Sequence, residues 1–459
     1  MKLTFAGAAG TVTGSRFLLD VDKRRLLIDC GLFQGYKVLR LRNRAPFPVK
    51  PESIHATLLT HAHLDHSGYL PVLVRDGLSA PVYASHATRD LCAILLPDSG
   101  HLQEEEAKYL NRHGVSKHHP ALPLYTKAEA LQSLGAITGK DMEATWDVLP
   151  GLRATLWPAG HLLGASMVEI ETTRGNIVFS GDLGRPHDSI MLPPTPIKHA
   201  DYLVLESTYG NRRHETIDPE IQFGDIIRRT AARGGIVVVP SFAVGRAQAL
   251  LYAIYRLKAR KEIPDLPVFL NSPMATNATD LYRRHAASHR LNAEQCRGMC
   301  NAATIVNSVE ESQALNDLKM PAVIIAASGM ATGGRVLHHL IAYASDAKNS
   351  IVLTGYQAGG TRGAAIAAGA GEIKIFGQKI PIRAEVHQIN GYSAHADADE
   401  IINWLKHFEK PPRRVFNTHG EPEAADSLRK RISDELHWDA HVPDHLETVT
   451  LDFGGAGKT

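Results

Sequence analysis

The sequence predicts an α/β protein with two cores, and three observations carry that reading. The first sixty residues alternate short apolar runs, "RFLLDV", "RLLIDCG" and "IHATLLT", with turn residues, a pattern of strands in a mostly β layer. From residue 211 the rhythm changes to strand, glycine-bearing loop and helix. It repeats in "GGIVVVPSFAVGRAQALLYAIYRL", "PAVIIAASGMATGGRVLHHLIAYA" and "NSIVLTGYQAGGTRGAAIAA", as a parallel sheet with covering helices requires. The third observation is length: 459 residues exceed what one average core holds.

Between these regions, residues 98–117 ("DSGHLQEEEAKYLNRHGVSK") read as an exposed helix. "LRATLWPAGH", "SMVEIET" and "NIVFSGD" add strands, and the proline-rich "RPHDSIMLPPTPIKH" leads into the strand "ADYLVLEST". Past the middle region, "AEVHQINGYSAHADADEIINWL" and "RRVFNTHGEPEAADSLRKRI" return histidines to strand ends. The expected divisions are 1–210, 211–385 and 386–459, with no short-period repeat and no low-complexity tract.

Composition narrows the function classes. With 44% hydrophobic, 21% charged and 6% aromatic residues, the chain reads as an ordinary soluble globular protein. "LTFAGAAGTVTG" near the start is too short and glycine-rich for a secretory leader, and no run reaches 18 apolar residues, so a cytoplasmic location without a membrane partner is expected. Four cysteines, Cys30, Cys92, Cys296 and Cys300, are too few for a disulfide framework. Cys296 and Cys300 have no second pair near them in sequence and read as structural. Net charge is +2, but residues 211–385 carry 21 Lys and Arg against 14 Asp and Glu, while the flanks are net acidic. That surplus fits either a solvated face or a surface that meets a polyanion.

The chemistry concentrates in "LLTHAHLDHSGYLP", where His61, His63, Asp65 and His66 occupy six positions behind a strand. Imidazole and carboxylate are the usual nitrogen and oxygen ligands of zinc. With no thiolate nearby, the set resembles a catalytic metal site more than a closed structural one. One turn cannot fill two coordination spheres, so His161 in "WPAGHLLGAS", Asp182 in "VFSGDLGR" and His419 in "FNTHGE" are the further candidates. A carboxylate can bridge two metals with its two oxygens, and such a pair can clamp the attacking and leaving oxygens of a phosphate displacement.

"THAHLDHSG", "AGHLLGAS" and "SGDLGR", in that order, resemble the metallo-β-lactamase fold. The later "ESTYGN", "YSAHAD" and "NTHGE" resemble the further motifs of the β-CASP nucleases, which include the cleavage and polyadenylation specificity factor endonuclease and ribonuclease J. The resemblance covers essentially the whole chain, as a short bacterial form. It implies an αββα sandwich with an inserted β-CASP α/β domain that closes over the metals as a lid. His61, His63 and His161 would hold one zinc ion and Asp65, His66 and His419 the other, with Asp182 bridging and a water between them as nucleophile. Asp65 would also belong to the catalytic set, and Asp29 would anchor the metal turn from behind. His395 would act as general acid, oriented by Glu206, because an RNA 3′-oxygen is a poor leaving group. Ser241, Arg246, Ser328, Gly329, Thr332, Gly333 and Arg335, at the ends of "PSFAVGR" and "SGMATGGR", would receive phosphates, in part on helix N-termini.

The resemblance therefore implies a zinc-dependent ribonuclease acting on single-stranded RNA. His419 stands where DNA-directed members carry valine, which favours RNA. The sequence as read stops at Thr459 without the added domains of larger relatives, which leaves RNA selection to the cleft. A small-molecule hydrolase of the same fold would not need the basic middle region with Glu206 and His395. A non-catalytic RNA-binding scaffold would be expected to have lost ligand positions that are filled here. Endonuclease and 5′-exonuclease modes both fit, and a homodimer is compatible with the sequence.

Overall fold

The computed structural model describes residues 1–453 apart from 115, 117, 216 and 356. It divides into two compact units, one of residues 1–213 with 395–459 and one of residues 214–394. The first break lies three residues beyond the expected position. The second lies nine residues beyond it, because strand Glu385–Ile389 pairs in parallel with Ser350–Thr354 and so belongs to the inserted unit.

The first unit has two seven-stranded sheets. One runs Thr448–Thr450, Lys2–Phe5, Phe17–Val21, Arg24–Ile28, Ala56–Leu58, Val82–Ser85, Ile137–Lys140; the other runs Ala440–His441, Arg414–Thr418, Tyr202–Glu206, Gly175–Phe179, Ser166–Thr172, Leu152–Pro158, Thr145–Leu149. Alternate residues of both sheets, Leu3 and Phe5, Leu26 and Ile28, Val168 and Ile170, Ile177 and Phe179, meet in one core. This is the period of two that a half-buried strand needs. Phe5 and Phe416 sit 5.2 Å apart across that core, and Phe17 and Phe179 5.8 Å. Helices cover the outer faces, among them His86–His113 on the first sheet and Pro422–Leu436 on the second.

The expected helix over 98–117 is the exposed end of His86–His113; residues 115 and 117 lie outside the described residues. In its first half the buried residues Ala87, Thr88, Leu91, Cys92, Leu95, Leu96, Ser99 and Gly100 recur at the spacing of one helix face, the face turned to the sheet. Ser85 caps it by accepting from the Thr88 N–H, and Gly114 ends it in the left-handed region at φ 61°.

The second unit carries a six-stranded, all-parallel sheet ordered Thr304–Ile305, Val268–Asn271, Ala322–Ala326, Ile236–Pro240, Ser350–Thr354, Glu385–Ile389. Its three central strands are buried along their whole length, which explains why they read as unbroken apolar runs. Among the described residues no helix is long and apolar enough to cross a membrane.

Candidate metal centre

Parallel pairing brings the site's strand ends together. Gly175–Phe179, Tyr202–Glu206 and Arg414–Thr418 run parallel, so their C-terminal ends deliver Asp182, Glu206 and His419 to one edge. On the facing sheet, Arg24–Ile28 and Ala56–Leu58 are parallel and deliver Asp29 and the turn with His61, His63, Asp65 and His66. That turn rests on Gly31, where a Cβ would lie 1.6 Å from the Asp65 carbonyl oxygen. The loops carrying His161 and Asp182 meet with similar closeness: a Cβ on Gly184 would lie 2.0 Å from the Gly160 carbonyl carbon, and the Gly184 N–H donates to Ala159 O at 2.8 Å.

Two donor clusters result. In the first, His61 Nε2 and His161 Nε2 lie 3.2 and 3.3 Å from His63 Nδ1, and 3.5 and 3.6 Å from Asp182 Oδ2. A zinc ion with bonds of about 2.0–2.1 Å in tetrahedral geometry separates its ligand atoms by roughly 3.4 Å, so these four atoms suit one ion. In the second cluster, His66 Nε2 lies 3.2 Å from His419 Nε2 and 3.2 Å from Asp182 Oδ1, and His419 Nε2 lies 3.5 Å from Asp65 Oδ2. Asp182 thus turns one oxygen to each cluster. Burial holds His61, His161 and His63 below the ordinary imidazole pKa, His63 at about 4, which keeps them neutral as metal ligands must be. Burial works against protonating His66 too, but the Asp182 and Asp29 carboxylates outweigh it and raise its pKa; a cation at Nε2 would replace that proton.

The surrounding hydrogen bonds fix these rings. Asp29, fully buried at φ 59°, faces His66 Nδ1 with Oδ2 at 2.7 Å and accepts from the Thr60 N–H at 2.7 Å and hydroxyl at 2.9 Å. Thr60 Oγ1 is also 3.1 Å from His61 Nδ1, and Thr208 Oγ1 is 3.1 Å from His419 Nδ1. With Nδ1–H held in this way, each Nε2 is free to bind metal. Sequence reasoning missed Thr60 and Thr208. Thr60 directly precedes His61 in "LLTHAH" and Thr208 stands two residues after Glu206 in "EST", and that nearness was the available signal. Asp29→Asn keeps the shape and removes the charge. It is expected to weaken zinc affinity about 10- to 100-fold with the fold intact, as read by chelator competition; unchanged affinity would remove Asp29 from the metal's support.

A third group adjoins the first two. His395 Nδ1 lies 3.1 and 3.2 Å from the two oxygens of Glu206, and its Nε2 lies 4.0 Å from Asp182 Oδ2. Glu206 is buried and accepts from the N–H of Leu183 at 2.7 Å and of Thr208 at 3.2 Å. The segment after Asp182 also pins His395, since Gly184 bridges to His395 and the Ala396 N–H donates to Leu183 O at 2.8 Å. Burial disfavours the His395 imidazolium, but the Glu206 charge and hydrogen bond, with Asp182 and Asp65, outweigh it and raise the pKa.

In the inserted unit, the loops after Ile236–Pro240 and Ala322–Ala326 touch where Gly329 meets Phe242, so Ser241, Arg246, Ser328, Gly329, Thr332 and Gly333 share one end of the sheet. Ser328 Oγ accepts from the N–H of Thr332 at 3.1 Å and of Gly333 at 3.4 Å. Arg335 departs from the expectation of a phosphate ligand. Its guanidinium donates to Asn271 Oδ1 at 2.8 Å and to the carbonyls of Val306 and Asn307 at 3.1 and 2.6 Å, so it braces the loop. Cys296 and Cys300 sit one turn apart on helix Ala293–Cys300, burial pushes the Cys300 thiol up to about 11, and neither belongs to a metal-holding group among the described residues.

Comparison with known proteins agrees with this geometry. Residues 10–217 match the metallo-beta-lactamase superfamily, residues 247–366 the Beta-Casp domain, and residues 379–443 the Zn-dependent metallo-hydrolase RNA specificity domain. The chain belongs to the β-CASP branch of the metallo-β-lactamase superfamily, a class of metal-dependent hydrolases. It is similar to Ribonuclease TTHA0252 of Thermus thermophilus, with 37% identity over 94% of this chain and 96% of that protein. It is also similar to Transcription termination factor FttA of Methanosarcina mazei, with 30% identity over 98% of this chain and 72% of that protein. A crystal structure of a protein of unknown function from Enterococcus faecalis shares the fold, with TM-score 0.54 and 15% identity over 98% of this chain and 99% of that one.

Proposed function

We propose that this protein is a ribonuclease that hydrolyses phosphodiester bonds of single-stranded RNA with two zinc ions. His61, His63 and His161 would hold one ion, Asp65, His66 and His419 the other, and Asp182 both. The observation that carries the reading is the split of Asp182, one oxygen to each donor cluster, beside a third group that positions His395. When bound, the ions lower the pKa of a water and offset the charge of the phosphate. The remaining work falls to the chain. Glu206, locked by two backbone N–H groups, holds His395 Nδ1, so Nε2 faces the reacting phosphate and gives its proton to the departing 3′-oxygen. Asp29, Thr60 and Thr208 keep the ligand imidazoles in the required tautomer and orientation. Support for RNA comes from the match to an RNA specificity domain and from the relative named a ribonuclease. Ser241, Arg246 and the 328–333 loop are the proposed phosphate contacts of the inserted unit, with Arg335 bracing them.

Purified protein incubated with 5′-labelled single-stranded RNA tests the reading. Cleavage is expected, abolished by chelator and restored by zinc. An intact RNA alongside rapid hydrolysis of a small ester would instead assign a small-molecule hydrolase.

A further inference from the structure

On the metal-bearing unit, the chain from Cys30 to Pro51 carries five cations, Lys37, Arg40, Arg42, Arg44 and Lys50, and no acidic residue. At its centre is the six-residue helix Lys37–Arg42, none of whose residues is buried. Tyr36, Val38 and Leu41 are 55%, 66% and 54% exposed. A helix this short does not persist on its own hydrogen bonds, so its base must hold it in place.

That base is built from buried polar groups. Asn43 Oδ1 accepts from the Phe33 N–H at 2.9 Å and its amide donates to Phe33 O at 2.7 Å, which closes the segment on itself. Arg16, 3% exposed, donates to Gly31 O at 2.8 Å and to Asn43 Oδ1 at 3.1 Å, with its guanidinium over the Tyr69 ring at 3.9 Å. Burying a guanidinium is costly. Here it fixes a projection whose outer face is basic and apolar.

A run of cations by itself is ordinarily a solvated face, but solubility does not call for an exposed tyrosine, valine and leucine among them. Cations for phosphates together with an aromatic face for a base are what single-stranded nucleic acid requires. We propose that residues 36–44 form a second contact for single-stranded RNA, beside the metal centre and outside the reacting phosphate; this rests on the ribonuclease reading above. The Leu32 N–H donates to Leu64 O in the metal turn at 2.8 Å. Tyr36 follows four residues later, at most about 14 Å along the chain, so the contact falls within a few nucleotides of the scissile bond. A second copy of the chain is the weaker occupant, because a twofold contact of this patch with itself would set cations against cations.

The test uses full-length, zinc-loaded protein and a labelled single-stranded phosphorothioate RNA, which resists cleavage, with binding measured across a salt series. Lys37→Ala/Arg40→Ala is expected to reduce the slope of log affinity against log salt by about 1.4, two phosphate contacts at roughly 0.7 each. Tyr36→Ala is expected to weaken binding about fivefold or more. These side chains are exposed, so the variants should fold as the parent does. Crosslinking with RNA containing 4-thiouridine should label the peptide that holds Tyr36. Parental affinity and slope in both variants would overturn the proposal even if the parent cleaves RNA, and would leave the patch to a protein partner. Failure of the parent to bind or cleave RNA would overturn the ribonuclease reading first.

Discussion

Asp182→Ala protein is expected to bind at most one zinc equivalent and to show no measurable RNA cleavage. The carboxylate is 2% exposed and offers Oδ2 to His61 and His161 and Oδ1 to His66. Its removal takes a carboxylate oxygen from each cluster and leaves His61, His66, His161 and His419 without the charge that would draw two cations close together. His63→Ala, which strips one cluster only, should lose activity with a smaller fall in metal content. Metal analysis beside an RNA cleavage assay makes the comparison. An Asp182→Ala protein holding two equivalents with parental activity would mean that the ions are not bridged there.

The second large effect separates the proton donor from the metal ligands. His395→Ala should slow RNA cleavage by about 10²- to 10⁴-fold, or roughly 3–5 kcal/mol of barrier, the share general acid catalysis supplies. Bis(p-nitrophenyl) phosphate has a leaving group that departs as a stable anion, so the same variant should hardly slow its hydrolysis. His63→Ala should damage both reactions equally. Glu206→Ala should follow the His395→Ala pattern more mildly, because Glu206 acts only through the imidazole. Equal slowing of both substrates by His395→Ala, with zinc retained, would recast the residue as a phosphate-binding group.

How much of this was legible in the sequence depended on how local each feature is. His61, His63, Asp65 and His66 fall within one turn, so their proximity needed no knowledge of the fold. His161, Asp182 and His419 were visible only as polar residues after apolar strands; the parallel pairing of Gly175–Phe179, Tyr202–Glu206 and Arg414–Thr418 makes Asp182 and His419 neighbours, and Leu152–Pro158, antiparallel to Ser166–Thr172 as Gly175–Phe179 is, brings His161 to the same edge. Thr60 and Thr208 passed unnoticed because a threonine at a strand end is ordinary until its hydroxyl is found on an imidazole nitrogen. Strands Lys2–Phe5 and Thr448–Thr450 pair from opposite ends of the chain, which no local pattern encodes. Arg335 read as a phosphate ligand beside glycines, yet its guanidinium closes on Asn271, at the end of strand Val268–Asn271, and on the adjacent carbonyls of Val306 and Asn307, partners remote in sequence. The inserted unit runs past its expected end at 385 for a similar reason, since Glu385–Ile389 carries a half-buried histidine, His387, yet pairs with the inserted sheet.

The central claim, hydrolysis of RNA at a bridged two-zinc centre, is tested most directly by a zinc titration of chelator-stripped protein, with cleavage of single-stranded RNA followed at each step. Activity should rise with added zinc and level off at two equivalents per chain. Full activity at one equivalent, or cleavage that persists in the stripped protein, would contradict it.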